Sequence, residues 1–239
     1  MTTTGAPKTA LITGGSRGIG LSVAHALVRA GVRVALIARG ADELRERAKE
    51  LGADTVVVSA DVTHVADVDR AVAVVQTAFG GAPDLLINNA GIFIPKALDV
   101  ITPEEFERLI TINLIAPFYL LRAILPAWKA QQRGHLITLG SIADRTIFAE
   151  NGAYSASKFG IRAMHEALRA ETKGTGVRTT LVSPSAVDTP IWDAVVQAKD
   201  SRFPSRDQML TPDAVAEAVV WAAMRPANVN IDELRISAA

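Results

Sequence analysis

Thr13-Gly-Gly-Ser-Arg-Gly-Ile-Gly20 follows an apolar run at residues 9–13 and opens an amphipathic stretch. Its glycines at 14, 18 and 20 read G-x-x-x-G-x-G, not the more familiar G-x-G-x-x-G. In either spacing the glycines let the backbone turn tightly and approach a pyrophosphate, which then sits on the free N–H groups of a helix N-terminus. An ordinary glycine-rich turn between a strand and a helix looks much the same. The reading therefore needs support from outside the loop.

Working outward, Ile19, Val23, Ala26, Leu27 and Ala30 recur at helical spacing, and Gly31 ends the stripe. The next helix starts from Asp42 as its expected N-cap, carries Leu44, Ala48 and Leu51, and closes at Gly52. Further helices are expected over residues 65–79, 103–127, 153–173 and 212–224. Thr102-Pro and Thr211-Pro each place a capping hydroxyl before a proline at the first helical position. Between the helices, residues 9–13, 33–38, 55–59, 84–88, 135–140 and 177–183 are short apolar or β-branched runs, as expected of parallel strands buried on both faces. A last strand falls near 233–237. The alternation predicts one α/β domain over residues 1–239: a Rossmann-type doubly wound parallel sheet of about seven strands with helices on both faces. Only residues 188–210 lack clean periodicity, mixing Trp192 and Phe203 with prolines and charges, which suggests a lid over a site.

Composition narrows the classes of function. Twenty-five Lys plus Arg balance 25 Asp plus Glu, so no net field favours nucleic acid or an anionic membrane. The absence of cysteine excludes disulfides, thiolate metal sites and thiol catalysis. His25, His64, His135 and His165 are scattered without ligand spacing, so no metal is expected. Residues 1–8 lack the features of a signal peptide, and no apolar run is expected to approach the roughly 18–20 residues of a membrane span. A cytoplasmic protein is expected.

Chemistry enters with the remaining motifs. Tyr154 and Lys158 stand four apart, so a helix projects both from one face. An ammonium near the phenol favours phenolate and draws the tyrosine pKa down from about 10. Such a tyrosine suits acid or base work, and Ser141, at the end of a strand, suits holding a substrate oxygen. Taken singly, a Tyr/Lys pair reads as a solvated face and a post-strand serine as a cap.

Their joint placement changes the reading. The glycine loop, Asp61-Val62, Asn88-Asn-Ala-Gly91, Asn113, Ser141 and Tyr154-Ser-Ala-Ser-Lys158 follow in an order and spacing that resembles the short-chain dehydrogenase/reductase family, including its 3-oxoacyl reductases. The resemblance implies that Asn113, Ser141, Tyr154 and Lys158 form the catalytic set. It further implies that Lys158 holds the nicotinamide ribose and that Asn113 anchors a water linking Lys158 to solvent. A nicotinamide dinucleotide would be held by Gly14, Ser16, Arg17, Gly18, Ile19 and Gly20. Further contacts would come from Arg39, Asp61, Val62, Asn89, Ala90 and Gly91, and from Tyr154, Lys158, Pro184, Val187 and Thr189. Asp61 also reads as a cap for the next helix, and Asn88–Gly91 as a simple turn.

At the end of the second strand, where an NAD-binding chain places an acid, this one has Arg39; with Arg17 it predicts NADP(H). The chain departs from the family at Pro184-Ser185, where many members have Pro-Gly. If that glycine uses positive φ, Ser185 must strain or shift the turn. The substrate pocket is expected from Phe93, Ile94, residues 142–148 and 188–210, with Asp144 and Arg145 as polar exceptions. The expected activity is reversible reduction of a small ketone or 3-oxoacyl carbonyl. Two alternatives stand beside it: an alcohol or hydroxy-acid dehydrogenase working oxidatively, and a dinucleotide sensor without turnover. A homodimer or homotetramer is expected through the helices at 103–127 and 153–173, whose outer faces would carry Phe118, Leu121, Met164 and Leu168.

Overall fold

Strand β1 (Thr9–Thr13), which delivers the glycine loop, is an interior strand of a sheet, as its two apolar faces require. The computed structural model describes residues 6–197 and 203–239. After β1 come α1 (Gly18–Arg29), β2 (Arg33–Ala38), α2 (Ala41–Leu51), β3 (Val56–Ser59), α3 (Val65–Phe79) and β4 (Leu85–Asn88). A long helix follows as α4 (Pro103–Ile110), a π-helical turn at Thr111–Ile115, and α5 (Ala116–Gln131). The chain continues through β5 (Gly134–Leu139), α6 (Gly152–Glu171), β6 (Val177–Pro184), α7 (Asp193–Gln197), α8 (Pro212–Ala223) and β7 (Glu233–Ile236). The seven strands form one parallel sheet in the order β3-β2-β1-β4-β5-β6-β7. This is the doubly wound fold predicted, and its order reverses between β1 and β4. At that switch point the connections leave to opposite faces and open a crevice at the carboxyl ends of the strands.

Adjacent strand residues feed opposite layers. Ile12, Ile87 and Ile137 pack with Val23 and Leu27 of α1 and Val215 and Val219 of α8. Their neighbours Leu11, Leu86 and Leu136 pack with Val72 of α3 and Leu120, Ile124 and Trp128 of α5. Both faces are thus dry, which explains apolar runs without alternation.

Three expectations need correction. Helix α2 begins at Ala41 behind Gly40, which supplies no side-chain cap; Asp42 lies inside the first turn and pairs with Arg45. Of the proposed outer-face residues, Leu121 and Leu168 are buried in the core, because α5 and α6 pack on helices as well as on the sheet. Phe118 is exposed, together with Phe106 and Phe159. Finally, the continuous helix Pro103–Gln131, 29 residues with a mean hydropathy of 1.7 over its most apolar stretch, is long and apolar enough to cross a membrane by length and composition. Here its Leu109, Leu120, Ile124 and Trp128 side chains are fully buried in the protein.

Two histidines lie inside this core. His135 Nε2 meets Thr180 Oγ1 at 2.8 Å and His165 Nδ1 meets Thr138 Oγ1 at 3.0 Å, leaving each second ring nitrogen without a partner among the described residues. Burial pushes His165 down to about 4 and His135 well below the usual histidine range. Both are therefore neutral when folded, whereas the unfolded chain protonates them below about pH 6.5. Stability must fall as pH drops from about 6.5, by up to about 1.4 kcal/mol per unit for each histidine, with the His165 share ending near pH 4. Urea midpoints at pH 7.5, 6 and 5 should decline, and His165→Gln should flatten the decline. Midpoints that hold steady from pH 6.5 to 5 would show that these rings are not buried neutral.

Candidate functional site

The carboxyl ends of β1, β4, β5 and β6 open into one cleft of about 1150 Å³. Of the residues expected to bind cofactor or substrate oxygen, all line it except Gly20 and Asn113, which stand behind the wall. The cleft forms because the glycine loop keeps close to its neighbours. Gly14 and Gly18 have φ of +63° and +56°. A Cβ on Gly20 would lie 2.3 Å from the Gly14 carbonyl oxygen, so only glycine permits this crossing. Helix α1 begins after Arg17 with no side-chain cap, leaving its first N–H groups turned toward the loop. This uncapped, glycine-only cradle fits the pyrophosphate of a dinucleotide.

Asn89 braces the loop from behind: its Nδ2 donates to the Thr13 and Gly14 carbonyls at 2.9 and 3.2 Å. Thr13 Oγ1 in turn accepts from the Asn89 and Ala90 N–H groups. Asn88–Gly91 is thus more than a turn. Asp61 does not cap α3, whose N-cap is His64; it closes a local turn by accepting from the Thr63 N–H and hydroxyl. Burial pushes its carboxyl up, but the two Thr63 bonds outweigh that and hold it below the usual value. Arg17 and Arg39 are exposed at this end; no hydrogen bond or ion pair engages either side chain among the described residues, and the Arg39 charge helps to lower the Asp61 carboxyl. Glu43 lines the same end, which sequence reasoning missed.

At the other end, Tyr154 and Lys158 project from the first turns of α6. Lys158 Nζ lies 5.6 Å from the Tyr154 ring centroid and donates to the Leu139 carbonyl at 3.0 Å. Burial brings the lysine down to about 8. Burial also pushes the tyrosine up to about 12, although a hydrogen bond with Ser141 pulls the other way and the Asp144 charge adds to the rise. The expectation of a lowered tyrosine pKa is therefore reversed in the protein alone. Desolvation of the phenolate exceeds the benefit of a lysine that is itself poorly solvated.

Asn113 sits in the π-helical turn and is 2% exposed. Its Oδ1 accepts from the Ile92 N–H at 2.9 Å, while its Nδ2 donates to the Ile92 carbonyl at 3.0 Å and to Ser157 Oγ at 3.1 Å. These direct bonds engage both amide N–H groups and tie the loop after β4 to α6. Ser157 gave no sequence signal beyond lying in the Tyr154–Lys158 motif.

The polar exceptions of the pocket are also corrected. Asp144 is fully buried, accepts from Arg145 Nε at 2.7 Å and from Ser183 Oγ at 2.5 Å, and lies outside the cleft with Arg145. Arg145 also pairs with Glu233 of β7, so the network joins strand ends. Ser185 carries no left-handed strain, since the only described non-glycine residues at positive φ are Gln132 and Glu150. The turn is held instead by Ser185 N–H donating to the Ile236 carbonyl at 2.8 Å. The 188–210 segment starts and ends against the cleft: Val187 bridges Leu210, and Arg206 pairs with Asp188 and Asp193. Part of that predicted lid, residues 198–202, lies outside the described residues.

A family model described as short chain dehydrogenase matches residues 8–200, which include every element of the cleft up to α7. The chain belongs to the short-chain dehydrogenase family. An uncharacterized oxidoreductase of Staphylococcus haemolyticus is 35% identical to this short-chain dehydrogenase over 96% of each chain. Among solved structures, an alcohol dehydrogenase of the archaeon Thermococcus sibiricus, complexed with 5-hydroxy-NADP, matches 97% of each chain with a TM-score of 0.87 and 31% identity. The closed form of a serine dehydrogenase complexed with NADP+ covers 95% of this chain and 93% of its own, with a TM-score of 0.87 and 29% identity. The short-chain dehydrogenase described here is accordingly an oxidoreductase of the alcohol/carbonyl class, and its family works with a nicotinamide dinucleotide on small molecules.

Proposed function

We propose that this chain is an NADP(H)-dependent reductase of small-molecule carbonyls. The observation that carries the reading is the convergence of Ser141, Tyr154 and Lys158 on the cleft that also holds the glycine cradle. When bound, the dinucleotide supplies the hydride. Gly14, Ser16, Gly18, Ile19 and Gly20 would shape the pyrophosphate site. Asp61, Val62, Asn89, Ala90 and Gly91 would flank the adenosine half; Pro184, Val187 and Thr189 would meet the nicotinamide half. Arg17 and Arg39, neither engaged by a side-chain hydrogen bond or ion pair among the described residues, suit the 2′-phosphate, and the two NADP-bound relatives lend support to that choice.

In this scheme Ser141 holds the carbonyl oxygen and Tyr154 gives it a proton. A phenol raised to about 12 is fully protonated at neutral pH, the form required of an acid. Lys158, near 8, remains an ammonium there and supports the phenolate that Tyr154 becomes. Asn113 acts through Ile92 and Ser157 as a positioning residue. The described parts of the expected lid, residues 188–197 and 203–210, would cover the cleft as part of one domain, anchored where Val187 bridges Leu210. The intact pair Tyr154 and Lys158 argues against a sensor without turnover. The deciding experiment is NADPH consumption with diketones, aryl ketones, 3-oxoacyl thioesters and 3-oxo acids. Reduction of at least one carbonyl is expected; tight NADPH binding with none reduced would sink the enzymatic reading.

A further inference from the structure

The half of the cleft beyond Tyr154 is built of aromatic rings. Phe93 meets the Tyr154 ring edge-on, with centroids 4.9 Å apart and planes at 75°. On its other sides it meets Trp192 at 4.8 Å and Phe203 at 6.0 Å, and Trp192 meets Phe203 at 5.7 Å. The rings come from four places in the chain: Phe93 from the loop after β4, Tyr154 from the first turn of α6, Trp192 from the turn before α7, and Phe203 from farther along the chain. Four rings drawn together by unrelated chain segments at a cleft wall form a surface that recognises shape and polarisability. None of the three outer rings is buried away; each is only partly covered and each lines the cleft.

The charges in the cleft are distributed unevenly. Arg17, Arg39, Glu43 and Asp61 belong to the glycine-loop end, and Lys158 is committed to the Leu139 carbonyl behind Tyr154. The aromatic half is completed by Ile92, Ile94, Ile112 and Phe148, and beside Phe148 in the chain Ile147 is 67% exposed. Among the described lining residues of that half, the only charge is Arg108, exposed on α4. A small hydroxy acid needs a cation beside the reacting carbon; the one cation of this wall, Arg108, is exposed on α4, and Asn151 and Gln208 are the uncharged polar groups that line the cleft with it. A ring would replace water there at little cost and pack against the cluster.

We propose that the substrate is a carbonyl compound bearing an aryl group next to or one carbon from the reacting carbon, packed against the cleft-facing side of the Phe93–Trp192–Phe203 cluster with its oxygen at Tyr154 and Ser141. The inference rests on the reductase reading for the position of that oxygen, and on the aromatic cluster for the class. It also sets this protein apart from a dehydrogenase of hydroxy acids sharing the same fold.

The test compares two diketones that differ only in a ring. Wild-type kcat/KM with NADPH should be about tenfold or more higher for 1-phenyl-1,2-propanedione than for 2,3-butanedione. Trp192→Ala should reduce that ratio about tenfold, and Trp192→Phe should restore most of it, which loss of fold would not do. Equal rates for the two diketones, or a preference for 3-oxobutanoate that Arg108→Gln removes, would overturn the proposal while leaving the reductase reading intact. Binding of 4-fluoroacetophenone to the NADP+-saturated protein, followed by fluorine NMR, gives an independent readout. Line broadening in wild type that disappears in Trp192→Ala supports the aromatic site even if no carbonyl is reduced; no broadening in wild type overturns it.

Discussion

Tyr154→Phe should lower turnover by about 10²–10⁴-fold, the usual worth of a general acid, while leaving NADPH affinity nearly unchanged. The substitution removes one oxygen and keeps the ring, so the 4.9 Å edge contact with Phe93 and the packing of α6 survive. Ser141 would still hold the substrate oxygen, but the phenol proton beside it would be gone. Lys158, with its Nζ 5.6 Å from the ring centroid and drawn to the Leu139 carbonyl, would be the nearest remaining proton source, and the residual rate reads what it supplies. The measurement is single-turnover reduction rate beside a fluorescence titration of NADPH. A Phe variant that keeps more than a tenth of the wild-type single-turnover rate would assign the proton to some other donor.

Cofactor choice should respond almost as strongly. With Arg17 and Arg39 both exposed at the adenosine end, two charge-assisted contacts of about 1.5–3 kcal/mol each would favour NADPH over NADH by about 10²-fold or more. Both side chains are exposed, so water and salt reduce that gain, and Glu43 at the same end opposes a phosphate. Arg39→Asp should erase most of the preference or invert it, since a carboxylate repels the phosphate and accepts from ribose hydroxyls. NADH use should suffer far less than NADPH use. The readout is the ratio of kcat/KM for the two cofactors with one carbonyl in both proteins. A wild type that favours NADH, or a ratio that Arg39→Asp leaves in place, would show that these arginines do not read the phosphate.

The fold was open to sequence reading because each strand had to be apolar on two faces. Leu11 with Ile12, and Leu86 with Ile87, cannot alternate when helices cover both sides. The helix ends were less legible. Asp42 satisfies every local rule for a cap, yet the extended backbone falls at Gly40, where the chain leaves β2, and tertiary geometry overrode the preference. Leu121 and Leu168 looked like an outer face because a helical wheel assumes one covered side. The site residues met at the cleft because their spacing encodes strand ends, but their energetics did not follow from spacing. Sequence shows that a lysine lies four residues from a tyrosine; it does not show that both lose their water. Asp144 and Arg145 were misplaced for a related reason. Adjacent opposite charges after a strand resemble pocket groups until Ser183 and Glu233, far along the chain, turn out to claim them.

The π-helical turn carries a consequence for chain length. Ala116 N–H bonds the Thr111 carbonyl, five residues back, so the helix holds one residue more than its regular form requires. That surplus sets Asn113 against Ile92 and Ser157 and still lets Leu120, Ile124 and Trp128 meet the sheet. A helix shortened by one residue within Thr111–Ile115 would close into regular bonds and leave α5 in phase, because the wide turn already absorbs the extra 100° that a surplus residue would otherwise add. The loss would fall on Asn113, whose side chain would leave Ile92 and Ser157. The backbone of the turn is held short of its own optimum so that Asn113 keeps those partners.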